Sequence, residues 1–205
     1  SALRDAKNSS EVVKKLEEAI HNKINIITGE EEANLSYLGA LKEGDENVTV
    51  IDIGGGSTEI ISGRKDIILN HISFQIGAVR LTEMYLNNNP PNGNEIVQME
   101  EKIQKIMDSY SYINELPNIK VYAVAGTPTT LAAIDLNLKD FEYDKIENHE
   151  LRLENIISIF DRMKQMTVDE IIQRLNVNPK RADVIIAGTV ILKSILMKLK
   201  RNSCY

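Results

Sequence analysis

The sequence predicts an α/β protein in which a mixed sheet, containing a three-stranded antiparallel meander, is flanked by helices. Three apolar, β-branched runs at residues 48–53, 58–62 and 67–74 are separated only by short turns. Strands joined by such turns pair antiparallel, because a parallel connection needs a dozen or more residues. A fourth apolar run at 119–125 follows a helical stretch and precedes further helices. This alternation of strands and helices is typical of α/β proteins.

The composition limits the classes of function. The 205 residues are 42% hydrophobic and 26% charged, enough apolar material for one sizeable core or two small ones. Thirty acidic and 24 basic residues give a net charge of −6, which argues against a general nucleic-acid-binding surface. No apolar run approaches the roughly 18 to 20 residues that span a bilayer, and we expect no signal peptide. The single cysteine, Cys204, cannot form an internal disulfide, so we expect a cytoplasmic protein without membrane or nucleic-acid partners.

The first elements are predicted as helix, strand and helix. Asn8 with Glu11 three residues later predicts the start of a helix. Its apolar residues recur on one face, at Val12, Val13, Leu16, Ala19 and Ile20. The β-branched run 24–28 predicts a short strand. A second helix should follow Gly29, with inward-facing residues at Ala33, Tyr37, Leu38 and Leu41.

After the meander the chain becomes mainly helical. The predicted elements are a helix at 79–86, a surface loop at 87–94, a helix at 95–115, the strand at 119–125, a helix beginning near Thr129, and helical structure from about Leu153. Thr167 with Glu170 predicts a capped helix start. Pro179 predicts the start of the last helix.

The most informative stretch joins the first two strands of the meander. Its residues are Asp52, Gly54, Gly55, Gly56, Ser57, Thr58 and Glu59. Three successive glycines allow positive φ angles and close approach to a ligand, and their N–H groups can form an anion-binding concavity. We expect the two hydroxyls to add donors, and Asp52 is a natural place to hold Mg²⁺ or a water molecule. A plain hairpin turn is the alternative, but it needs neither three glycines nor flanking acids.

A second loop has similar chemistry. Gly126 and Thr127 follow a predicted strand and precede a helix N-terminus, a ready position for phosphate. Such a loop is as often only a turn and a cap, but two of them in one domain suggest a clamp on two phosphates.

Other polar residues have ordinary interpretations. Glu30, Glu31 and Glu32 suit the first turn of a helix, where they complement its dipole. Arg4 suits a surface position, and Cys204 has no partner typical of a nucleophile. The three histidines, His21, His71 and His149, lack metal-ligand spacing.

The motifs together resemble the exopolyphosphatase and guanosine pentaphosphate phosphohydrolase family, within the actin-like (ribonuclease H-like) ATPase superfamily. The resemblance covers essentially the whole chain and keeps one order. It rests on residues 2–8 (ALRDAKN), 27–33 (ITGEEEA), 52–59 (DIGGGSTE) and 73–83 (SFQIGAVRLTE), and on Gly126-Thr127 and Arg181-Ala182-Asp183.

The resemblance implies an activity and roles that the pattern alone does not. Such enzymes release the terminal phosphate of inorganic polyphosphate or of guanosine pentaphosphate, with Mg²⁺. The family's catalytic base falls on Glu32, its metal-binding acids on Asp52 and Glu59, and its phosphate-contacting arginine on Arg4. Dimerisation is common in the family, so a homodimer is possible. Which of the two substrates is preferred stays open, because both present the same terminal group.

The chain also departs from the family pattern. Members carry an Asp-x-Gly-Ser-Asn-Ser loop ahead of the part that matches Ser1, and a further strand motif beyond the part that matches Tyr205. We therefore predict that residues 1–33 are the end of a first actin-like domain and that 34–205 are most of a second. The isolated chain is then expected to be weakly active or inactive. Pro128 stands where many members carry a small residue and stiffens the second loop.

Two other functions stay open. One is a phosphate-binding module without catalysis. The other is an actin-like or chaperone-type ATPase, which shares an Asp-x-Gly-Gly-Gly-Thr loop. Glu59 disfavours the second, because chaperone ATPases usually carry an aromatic residue and an aspartate after the hydroxyls.

Overall fold

The computed structural model of the chain describes residues 6–109 and 120–205. The helices are α1 (Ser9–Ile20), α2 (Gly29–Ala40), α3 (Ala78–Tyr85), α4 (Gly93–Asp108), α5 (Gly126–Asp135), α6 (Tyr143–Glu147), α7 (Leu153–Met163), α8 (Val168–Leu175), α9 (Pro179–Ala182) and α10 (Ile185–Lys198). The strands are β1 (Asn47–Ile53), β2 (Thr58–Arg64), β3 (Ile67–Phe74), β4 (Lys120–Val124), β5 (Leu151–Arg152) and β6 (Ser203–Cys204). No helix within these ranges is long and apolar enough to cross a membrane.

The main sheet has the strand order β3-β2-β1-β4. Strands β1, β2 and β3 form the predicted antiparallel meander, and β4 lies parallel to β1. Tyr205 extends the sheet beyond β4: its N–H donates to Val121 at 3.0 Å, and its carbonyl accepts from Ala123 at 2.8 Å. That pattern is a parallel pairing with Tyr205 opposite Tyr122. The prediction of an α/β fold with a mixed sheet is confirmed.

Helices cover both faces of the sheet, because alternate residues of each strand point to opposite sides. On one face, Ala33 and Tyr37 of α2 pack in a small core with Val48, Val50, Ile61 and Tyr122. On the other face, Ile51, Ile53, Ile60 and Phe74 belong to the larger core, to which α3, α4, α5, α7, α8, α9 and α10 contribute. Helix α10 is buried along most of its length in that larger core. The loop between β1 and β2 lies at the end of these two central strands. Helix α2 covers the sheet on one side of it and α3 lies on the other.

One prediction near the amino end is wrong, and a second is confirmed only in part. The predicted strand at residues 24–28 is not formed, and Ile26 and Ile27 are exposed. A β-branched run becomes a strand only where a neighbour supplies the ladder. Helix α1 begins directly after Asn8, as predicted, but the φ of −101° and ψ of 20° of Asn8 are not extended, and its side chain makes no capping bond.

The apolar faces of the first two helices are not buried as predicted. None of the residues of α1 is buried, although its apolar residues share one face, and Ile20 is 55% exposed. In α2, Ala33 and Tyr37 point inward as predicted, but Leu38 is 41% exposed. The periodicity identified the helices but not what covers them.

Several helix bounds differ from the predictions. Helix α5 begins at Gly126, three residues before Thr129. The last helical stretch divides into α9 and α10. Helix α4 ends at Asp108, and the predicted continuation from 110 to 115 lies outside the described residues, as does Ile119 of the predicted fourth strand.

Thr28→Ala should destabilise the start of α2. The Thr28 hydroxyl accepts from the Glu31 N–H at 3.1 Å, and the Glu31 carboxylate accepts from the Thr28 N–H at 2.7 Å. Loss of the hydroxyl should lower the free energy of unfolding by about 1 kcal/mol, measured by urea denaturation. Thr28→Ser is the matched control and should lose much less; equal losses would contradict the capping role.

The same capping box makes the stability depend on pH. Two hydrogen bonds to the Glu31 carboxylate lower the pKa of Glu31. The larger effect comes from the Thr28 N–H and the smaller from the Thr28 hydroxyl. A carboxylate whose pKa is lower in the folded than in the unfolded state adds stability above its unfolded pKa, and loses it as pH falls through the lowered value. The advantage of the wild type over Glu31→Gln should therefore be greatest near neutral pH and shrink in acid.

Candidate active site

Two carboxylates face each other across the β1–β2 pair. Asp52 and Glu59 are direct partners in the antiparallel register, on the face of the sheet that α2 covers. The Ser36 hydroxyl of α2 donates to Asp52 at 2.8 Å, and Ser57 and Ser73 donate to Glu59 at 2.7 and 3.0 Å. Like charges directly opposite on neighbouring strands destabilise a sheet. The pair therefore fits a cation, and Mg²⁺ takes one or two protein carboxylates together with substrate phosphates.

The acidic triplet of α2 divides into separate roles. Glu31 is the capping-box residue, and it is exposed, as is Glu30. Glu32 is half-buried and lies one helical turn before Ser36, the residue that donates to Asp52. Residues four apart share a helix face. Glu32 is therefore the glutamate of the triplet that shares a helix face with the contact to Asp52.

The carbonyl groups of the triple-glycine loop all point to α3. The Ala78 N–H donates to the Gly54 carbonyl and the Arg80 N–H to the Gly55 carbonyl, both at 3.0 Å. The Arg80 side chain donates from Nε to the Gly56 carbonyl at 2.9 Å. The first amides of a helix have no partner within the helix, and here the loop supplies acceptors for two of them.

The amide groups of the same loop point the other way. The Gly54 N–H donates to the Ser57 carbonyl at 3.0 Å. Within the described residues, no protein group accepts from the amides of Gly55, Gly56 or Ser57. Successive amides turned to one side form an anion-binding concavity. The loop is thus polarity-sorted: its carbonyl groups all accept hydrogen bonds from α3, and its amide groups point away from α3.

Two expectations about this loop are corrected. None of its glycines has a positive φ, so the loop contains no left-handed residue. A Cβ would be crowded at Gly54 and Gly55, at 3.1 and 3.2 Å from its nearest atom, but not at Gly56, at 3.6 Å. The hydroxyls are also engaged internally: Thr58 is buried and donates to the Ile76 carbonyl at 2.6 Å, while Ser57 donates to Glu59. The outward-facing donors are therefore backbone amides.

The second loop lies beside the first. Gly54 and Gly55 line a 30 Å³ cavity together with Gly126, Thr127 and Arg181. The Arg181 guanidinium lies directly over Gly126, where a Cβ would come within 2.4 Å of it. The structure thus brings the two predicted loops together and adds a cation between them.

Thr127 differs from the prediction in the use of its side chain. The residue is buried, and its hydroxyl packs against Gly188 of α10. A phosphate contact at Thr127 would come from its backbone N–H. Ala125, just before this loop, has a φ of 75°, a conformation that L residues rarely adopt. Pro128 is buried in the first turn of α5, which that residue favours.

Sequence reasoning missed several residues that build this site. Arg80 and Arg181 lay within the quoted motifs but had no role assigned. Ser36 could have been found from its spacing of four after Glu32. Arg4 lies outside the described residues. His149 pairs with Asp135 at 2.7 Å, away from the loops, and no cluster of three metal-binding side chains occurs in the described ranges.

The sequence matches a known family over almost its whole length. The model of the Ppx/GppA phosphatase family covers residues 1–204. The chain belongs to this family. A bifunctional 3-dehydroquinate synthase/phosphatase of Fusobacterium nucleatum is 35% identical over 206 residues, covering 96% of this chain and 30% of that protein. Exopolyphosphatase 2 of Mycobacterium tuberculosis is 29% identical over 182 residues, covering 87% of this chain and 57% of that protein.

Solved structures of this family share the fold. The Aquifex aeolicus PPX-GPPA enzyme superposes with a TM-score of 0.87 at 30% identity, over 100% of this chain and 68% of that one. An exopolyphosphatase from Cytophaga hutchinsonii superposes with a TM-score of 0.86 at 23% identity, covering 100% of this chain and 67% of that one. The actin-like ATPase fold that the resemblance implied is confirmed. The family member described here spans about a third to two thirds of the length of these proteins.

Gly77→Ala should disrupt the contact between the first loop and α3. A Cβ at Gly77 would lie 2.4 Å from the Gly55 carbonyl oxygen and 2.5 Å from the Gly56 nitrogen. Both atoms are backbone, so relief requires movement of the loop or the helix. We expect the free energy of unfolding to fall by about 1 to 3 kcal/mol, as for other overpacked positions.

Gly93→Ala is the matched control for this measurement. A Cβ at Gly93 has no atom within 4 Å, and the residue begins a helix. Urea denaturation should show no loss for this variant. A Gly77→Ala protein as stable as Gly93→Ala would contradict the close contact.

Proposed function

We propose that this chain forms the phosphate-binding and catalytic wall of a phosphohydrolase that releases the terminal phosphate of inorganic polyphosphate. The observation that carries the proposal is the polarity-sorted loop, whose outward amides lie beside the Asp52 and Glu59 pair. Exopolyphosphatase 2 among the relatives supports polyphosphate as the substrate class. Guanosine pentaphosphate presents the same terminal group and stays the alternative.

The backbone amides of Gly55, Gly56 and Ser57 bind oxygens of the terminal phosphate. Such donors are already oriented, so they stabilise charge that develops in the transition state without further reorganisation. The amides of Gly126 and Thr127, at the start of α5, bind the next phosphate, aided by the Arg181 guanidinium. The two loops are neighbours, since both line one 30 Å³ cavity, and this supports their contact with successive phosphates.

Asp52 and Glu59 would hold Mg²⁺. Their opposed carboxylates and the hydroxyls that fix them suit a hard cation. Bound there, the ion would neutralise phosphate charge and withdraw electrons from the phosphorus.

Glu32 acts as the general base. It takes a proton from the water molecule that attacks the terminal phosphorus, and the phosphate chain leaves one unit shorter. Its half-buried position on the Ser36 side of α2 supports this role. A positioned general base contributes about 10²- to 10⁴-fold to a rate.

The opposite wall of the cleft would come from a further domain, to which helix α1 would belong. Helix α1 supports this, since it is amphipathic and has no buried residue. Ligand sites commonly lie between domains. We therefore expect the isolated chain to bind phosphate chains but to hydrolyse them slowly.

Titration calorimetry with inorganic tripolyphosphate, with and without Mg²⁺, tests the loop. A Cβ at Gly55 would lie 3.2 Å from Cγ2 of Val79, so Gly55→Val should push the loop off α3 and abolish binding. Gly39→Ala, where a Cβ meets nothing within 4 Å, should bind like the wild type. A folded wild-type chain that binds no tripolyphosphate at any Mg²⁺ concentration would contradict the proposal.

Glu32→Gln separates catalysis from binding. We expect it to reduce phosphate release from polyphosphate by at least about 100-fold while leaving tripolyphosphate affinity unchanged. Glu30→Gln removes a neighbouring exposed carboxylate and is the matched control, with activity like that of the wild type. If the two variants release phosphate equally, Glu32 is not the base. Binding without any release by the wild type would identify this chain as a phosphate-binding module.

A further inference from the structure

The third outward amide of the glycine loop depends on a side chain, unlike the first two. In a trans peptide the C=O and N–H groups point in opposite directions. The Gly54 and Gly55 carbonyls are held by the backbone amides of Ala78 and Arg80, so the N–H groups of Gly55 and Gly56 point away from α3 whatever the side chains are. The Gly56 carbonyl is held by Nε of Arg80.

We propose that Arg80 is a positioning residue, which fixes the Gly56–Ser57 peptide so that the Ser57 N–H faces the phosphate. Without the Nε donor, the Gly56 carbonyl has no partner on the α3 side among the described residues. Glycine at position 56 offers no side chain to resist rotation of this peptide. A rotated peptide would present a carbonyl oxygen to an anion in place of an amide, turning an attractive contact into a repulsive one.

The surroundings of Arg80 make this role separable from folding. The side chain is exposed, and α3 is anchored by the buried residues Ala78 and Leu81. The terminal nitrogen Nη2 lies 3.6 Å from where a Cβ of Gly56 would be, so the guanidinium lies along the loop rather than in the core. Replacement of Arg80 leaves both backbone bonds from α3 to the loop in place.

The inference rests on the proposed phosphate-binding function and is tested through individual amides. In ¹H–¹⁵N spectra of the wild-type chain, titration with Mg²⁺ and tripolyphosphate should shift the amide signals of Gly55, Gly56 and Ser57. In Arg80→Gln, the signals of Gly55 and Gly56 should still respond, while that of Ser57 should not. Affinity should fall about tenfold, the usual effect of losing one hydrogen bond to a charged group.

Two further variants separate the hydrogen bond from the charge. Arg80→Lys keeps the positive charge but has no donor at the Nε position. It should therefore lose the Ser57 response as Arg80→Gln does. Arg64→Gln makes the same change in net charge at the far end of β2, where Arg64 pairs loosely with Glu46 at 3.9 Å. It should behave like the wild type in both affinity and amide shifts.

The possible results distinguish failure of the Arg80 positioning role from failure of the proposed phosphate-binding function. If Ser57 responds in Arg80→Gln as in the wild type, or if Arg80→Lys restores wild-type behaviour, the positioning role is wrong and the proposed function stands. If none of the three amides responds in the wild type, the proposed function is wrong and the role of Arg80 falls with it. In spectra recorded without ligand, signals outside residues 54–58 and 77–81 should be the same in the Arg80 variants as in the wild type, which establishes that the fold is intact.

Discussion

The hydrogen bonds from α3 to the triple-glycine loop determine how this site is arranged. Two amides of the first helical turn and one arginine Nε engage all three glycine carbonyls. The approach is possible only because Gly77 lacks a Cβ, which would otherwise meet the Gly55 backbone at 2.4 Å. The helix satisfies its own unpaired donors through these bonds, and the loop is left with donors alone on its other side. Helix capping and the proposed phosphate binding thus depend on the same contact.

Helix α2 completes the arrangement from the opposite face of the sheet. Its start is fixed by the Thr28–Glu31 capping box, and its middle by Tyr37, whose hydroxyl donates to the Lys65 carbonyl at 2.9 Å. A Cβ at Gly63 would lie 2.5 Å from that ring, so the helix sits close to the sheet. With both points fixed, the turn that carries Glu32 and Ser36 faces the carboxylates. The same contacts stabilise α2 and orient the turn that carries Glu32 and Ser36.

Much of the site follows from local sequence, and the rest depends on packing. The meander and the order of strand, glycines and hydroxyls were predictable, because short turns and glycine runs depend only on residues that are adjacent in the sequence. The absence of a strand at residues 24–28 was not predictable, since a strand requires a neighbouring strand that the sequence does not reveal. The hydroxyl of Thr58 was expected to face a ligand, yet its strand buries it against Ile76. Arg80 and Arg181 acquire their roles only when distant segments meet.

The orientation of the polar groups on the glycine loop also bears on how a cation and a phosphate chain would affect each other's binding. Since its carbonyls are engaged by α3, the loop offers no oxygen to a cation, and Asp52 and Glu59 are the acids beside it. A divalent ion held by two carboxylates alone keeps most of its hydration shell. Phosphate oxygens brought in by the amides would supply the missing ligands. Ion and substrate would then raise each other's affinity by the same factor, as thermodynamic linkage requires.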